Sequence, residues 1–71
     1  PSIEVNGAGA SINIYISNSA TKPTDKTEMT LDDESPFAEG AYRLRGQIKW
    51  ILFEDIAGTP TINTLNVVKV E

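Results

Sequence analysis

Along most of the chain apolar and polar side chains alternate with a period of two, the pattern of β-strands that bury one face. The run Ser11-Ile12-Asn13-Ile14-Tyr15-Ile16-Ser17 shows it best: Ile12, Ile14 and Ile16 share one face, Ser11, Asn13 and Ser17 the other, and Tyr15 alone breaks the polar set. Ile3-Glu4-Val5 alternates as well. Between the two, Asn6-Gly7-Ala8-Gly9 supplies residues that tolerate positive φ, so these runs are expected to form a hairpin. Asn18 to Lys26 is rich in Ser, Thr and Asp and contains Pro23, which reads as a loop. Thr27 to Leu31 alternates weakly and is read as a third strand, although Asp25 followed by Glu28 resembles a capping box and permits a short helix.

Further along, Ser35 suits a helix cap, Pro36 the first helical position and Gly40 the position past the end, which predicts one helical turn near residues 35–39. From Ala41 to Asp55 the chain is long and β-prone. Tyr42, Leu44, Ile48, Trp50 and Leu52 share one parity there, and Gly46 marks a bend or bulge. Trp50 is the expected centre of the core. After a turn at Ile56 to Pro60, Thr61 to Val70 returns as a strand. Ile51 to Phe53 and Leu65 to Val70 are apolar on both faces, which implies a second cover: another layer, a helix or another subunit. The expected fold is all-β, a small antiparallel barrel or sandwich of about five or six strands. It forms a single domain over residues 1–71, with at most one short helical turn near residues 35–39.

Composition narrows the chemistry. A chain of 71 residues buries roughly 60% of the surface its unfolded form exposes, enough for one modest core and no second lobe. It has no histidine and no cysteine, which removes imidazole bases, thiolate nucleophiles, disulfides and ordinary zinc sites. Neither a cofactor nor a metal is expected, and the protein is read as a non-enzyme. Asp32-Asp33-Glu34 lacks the spacing of a calcium loop and reads as a solvated turn. Apolar stretches such as Trp50 to Phe53 fall far short of the roughly 18 to 20 residues of a membrane span. Pro1-Ser2-Ile3-Glu4-Val5 is not a signal peptide, so synthesis in the cytoplasm is expected, with a virion as a possible destination.

Two features suggest surfaces. Arg43, Arg45 and Lys49 place three of the six cationic residues on one strand parity, next to Tyr42 and Trp50, as an interface or polyanion contact. A net charge of −4 opposes polyanion binding over the whole surface, and the acid-rich segment from Asp25 to Glu39 is the alternative partner of that stripe. Pro1 and its following strand resemble the start of the small tautomerase family, whose N-terminal proline amine is a catalytic base. The resemblance stops at Asn6 to Gly9, where the chain turns into the Ile12 to Ile16 strand and that family continues into a long amphipathic helix. The expected function is therefore a non-enzymatic structural or interaction module. It packs against protein subunits, its own copies or other chains, in a larger assembly such as a phage or viral particle, as a minor component. The alternative is a small β-barrel that binds nucleic acid or another polyanion through Arg43, Arg45 and Lys49.

Overall fold

The computed structural model describes residues 2–65. Its strands run in the order β1 (Ser2–Asn6), β2 (Ser11–Ser17), β3 (Thr30–Leu31), β4 (Phe37–Ala38), β5 (Gly40–Arg43), β6 (Trp50–Ala57) and β7 (Thr61–Leu65). They form two antiparallel sheets, and the barrel is not closed. In sheet one, β1 lies between β5 and β7, with Val5 opposite Gly40 on one side and Ile62 on the other. In sheet two, β2 is central. β6 follows one side of it from Ser17 opposite Trp50 to Ser11 opposite Ala57. β3 and β4 share the other side, Leu31 opposite Tyr15 and Phe37 opposite Ile12.

The alternation decides what fills the space between the sheets. Ile3 and Val5 of β1 meet Ile12 and Ile14 of β2, Phe37 of β4 and Ile51 of β6, while Ala10 and Leu44 close the core from the connections. Val5, Ile12, Ile14 and Ile51 are 0% exposed. Burying an aliphatic side chain of this size stabilises by about 2 to 3 kcal/mol, so the meeting of these stripes dominates the fold.

This arrangement corrects the expected hairpin. β1 and β2 belong to different sheets, and the turn between them, closed by the Ala10 amide donating to Gly7 O at 3.0 Å, carries the chain across the core. Side by side in one sheet, the two apolar stripes would share a single uncovered face; facing each other, they cover themselves. A second crossover at 58–60 nests against this turn. A Cβ on Gly58, whose φ is +72°, would lie 3.0 Å from Ala10 Cα and 3.2 Å from Gly9 O.

The helical turn expected near residues 35–39 is also corrected. Phe37 and Ala38 form β4, because Phe37 is drawn into the core opposite Ile12. Ser35 does not cap: its Oγ accepts from the Ile14 amide at 3.1 Å and donates to Ile14 O at 3.4 Å, standing in for a ladder partner. The helical turn that does form is a 3-10 turn at Lys26–Glu28, capped by Asp25, which accepts from the Thr27 amide at 2.9 Å. It takes over the first half of the expected third strand and leaves β3 with two residues. Asp32, Asp33 and Glu34 loop out between β3 and β4, so one edge strand becomes two segments. The long run from Ala41 is likewise divided at 44–49, with Gly46 at a φ of +83°. That break resets the parity: Ile51 faces the core, and Trp50 is only half-buried. The apolar pattern of Val67 to Val70, and Pro1, lie outside the described residues.

The nested crossovers yield a paired test. Gly58→Ala adds backbone clashes to a left-handed conformation, whereas Gly9→Ala, at the same φ of +72° with nothing within 4 Å, adds only the conformational cost. Chemical denaturation should find Gly58→Ala destabilised by about 3 kcal/mol and Gly9→Ala by about 1 kcal/mol. Equal losses would mean that the two turns do not pack together.

Candidate functional site

The alternation that buries the isoleucines of β2 turns Asn13, Tyr15 and Ser17 to the outer face of sheet two. The β6 register then sets Glu54, Leu52 and Trp50 directly opposite them. Leu31 lies opposite Tyr15 on the other side, so Leu31, Tyr15 and Leu52 form an apolar row across three strands. This face needs a cover, and part of it comes from the loop that follows β2. The Trp50 indole N–H donates to Ser19 O at 2.9 Å, Pro23 is buried, and Lys26 Nζ stands 5.6 Å from the centre of the Tyr15 ring. Residues 18–29 thus act as a strap across the outer face. They account for part of the two-sided hydrophobicity of Ile51 to Phe53 within the chain itself.

Glu54 fastens the strap. Its carboxylate forms an ion pair with Lys26 and accepts from Asn13 Nδ2 at 3.1 Å and from the Tyr15 hydroxyl at 3.3 Å. The Lys26 hydrogen bond, followed by that from Asn13, holds the Glu54 carboxyl below the usual carboxylate range. The same bond raises Lys26 above the ordinary lysine value. At the end of the 3-10 turn Glu28 accepts from the Thr24 hydroxyl at 2.6 Å and from its amide at 3.3 Å.

Beyond the strap, two large apolar side chains stay open among the described residues: Leu31 at 45% exposure and Ile56 at 52%, on opposite flanks of sheet two. β6 itself pairs with β2 on one side, and among the described residues no strand takes its other side. The β6 flank of this sheet thus combines an open strand edge with an exposed large apolar side chain.

The predicted cationic stripe is dispersed. Arg43 sits on β5 opposite Ser2, Arg45 lies in the crossover beside Asp32, Asp33 and Glu34 along a shallow cleft, and Lys49 precedes β6 with its amide bonded to Ser17 O. All three are exposed. Among the described residues no ion pair joins them to a carboxylate. Tyr42 turns inward, 4.7 Å from Phe37 at 75°, with its hydroxyl donating to Ala38 O at 2.8 Å. It is thus not free to stack on a base beside Arg43. Among the described residues no group of three carboxylates is placed to hold a metal ion, and no helix is long and apolar enough to cross a membrane. The strap's anchor at Glu54 had no local sequence signal, since Lys26 is 28 residues away. Tyr15, breaking an otherwise polar face, was the visible trace of the covered row.

The pKa directions set the sign of a pH test. A carboxyl held low contributes stability that is present at neutral pH and lost as pH falls through the carboxylate range. The melting temperature should therefore fall on acidification, and Glu54→Gln should flatten part of that fall, leaving the part due to Asp25, which Thr27 also holds low. An unchanged acid limb in Glu54→Gln would show that Glu54 does not fasten the strap. No family model, no curated protein and no solved structure matches the chain.

Proposed function

We propose that the protein is a non-enzymatic structural module that works by packing against other subunits through the β6 flank of sheet two. The observation that supports this is the eight-residue β6, whose second side no strand takes among the described residues, with the exposed Ile56 near its end. Open strand edges and uncovered large apolar side chains are the features by which small β domains associate. The setting we propose is a larger assembly, with a phage or viral particle as the leading case and this chain as a minor component. Small size, the lack of histidine and cysteine, and strands rich in Asn, Thr and Ser fit such a role.

Polyanion binding through Arg43, Arg45 and Lys49 has less support. The three cations come from one strand of sheet one and the crossover after it, Tyr42 is engaged with Phe37, and the net charge is −4.

Sedimentation velocity at micromolar concentration separates the readings. The wild-type chain should sediment as a species larger than the monomer, and Ile56→Lys should shift it toward the monomer with strand content unchanged by circular dichroism. A strictly monomeric wild type would overturn self-association. Oligonucleotide binding at low salt that disappears in Arg45→Glu would favour the polyanion reading instead.

A further inference from the structure

We infer that a second copy of this chain adds to the edge of β6 that no strand takes among the described residues, antiparallel strand against strand, in a register centred on Leu52. The inference rests on the subunit-packing reading and names the occupant and its geometry. β6 is the longest strand among the described residues, and about half of its backbone amides and carbonyls point away from β2, because successive residues of a strand alternate sides. Proteins blunt such edges with proline, charge or bulges. Trp50 to Phe53 contains no proline or charge; the bulge of this strand falls near its far end, at Ile56, which lies between the Ser11–Ala57 and Ile12–Asp55 pairs.

The occupant follows from the sequence around β6, which is complementary to itself when reversed. A two-fold axis perpendicular to the joined sheet keeps the outer face of both copies on one side, so directly opposite residues must share parity and the axis passes through a residue. An axis at Glu54 sets that carboxylate against its own copy. At Phe53 it leaves Asp55 opposite Ile51 and Lys49 opposite Ala57. At Leu52 the pairs within β6 become Trp50 with Glu54 and Ile51 with Phe53, and Lys49, which immediately precedes the strand, comes opposite Asp55. This register sets no carboxylate against its own copy and matches opposite charges, Lys49 with Asp55, twice by symmetry.

The chain has no cysteine, so Leu52→Cys is a clean reporter. Directly opposite residues of an antiparallel pair have Cα atoms about 4.5 to 5.5 Å apart, within the span of a disulfide. Mild oxidation of Leu52→Cys should give a covalent dimer. Leu31→Cys should not, since its mate lies about 24 Å away across five strand spacings. In a second arm, Asp55→Lys faces Lys49 with a like charge and should weaken dimerisation about tenfold, and adding Lys49→Asp should restore it. A wild type that self-associates while Leu52→Cys cross-links no faster than Leu31→Cys and the charge reversals change nothing would overturn the register and leave subunit packing standing. A wild type that stays monomeric at high micromolar concentration would overturn both.

Discussion

The burial of Ile12 and Ile14 is the contact on which the rest of the molecule depends. β2 is the shared partner of β3, β4 and β6, so every strand of sheet two is held through it. Its inner face also supplies the surface against which Ile3 and Val5 of sheet one close. Truncating one fully buried isoleucine removes about 3 kcal/mol from a fold whose total stability is roughly 5 to 10 kcal/mol. Where the acidic run loops out and the ladder on one side of β2 would fail, Ser35 Oγ and the Asp32 amide satisfy Ile14 instead, the latter at 2.8 Å. The central strand keeps its backbone partners even where its neighbour departs.

A strand that buries every second residue must present the others. On β2 this sends Tyr15 outward beside Leu52 and Leu31, and an apolar row on an outer face needs a cover. The strap of residues 18–29 supplies one, tied by Trp50 to Ser19 and by Lys26 to Glu54. It lies over the face, and among the described residues nothing pairs with the outer edge of β6. The uncovered remainder is a line of backbone groups flanked by Ile56, which suits a partner strand better than a small molecule. The function proposed for this molecule accordingly lies on that surface.

Much of this was legible in residue patterns. Ser11 to Ser17 read as a strand with the correct buried face and Gly46 as a bend, whereas Thr27 to Leu31 read as a strand and the alternative at Asp25, a capped helical turn, took its first residues. The hairpin reading of β1 and β2 failed for a physical reason: alternation states which side of a strand is apolar, but two such strands can lie side by side or face each other across a core. The Ser35, Pro36 and Gly40 pattern pointed to a helical turn, and the burial of Phe37 against Ile12 outweighed that local preference. Parity counted from Tyr42 to Trp50 placed the indole in the core and the cations on one face. The chain between Leu44 and Lys49 is not a strand, so the count does not carry across it. The Lys26–Glu54 tie joins distant segments through one surface contact and leaves no periodic trace.

If sheet two meets its partner at the edge of β6, then amide exchange there depends on concentration, because pairing with a second strand protects groups that are otherwise open to water. Hydrogen–deuterium exchange of the wild-type chain, followed residue by residue at dilute and at high micromolar concentration, tests this most directly. The account predicts that protection rises within Trp50 to Asp55 and stays constant in β3 and β4, with the β2 amides the slowest at both concentrations. Protection in β6 that does not change with concentration, or a gain confined to β3 and β4, would contradict it.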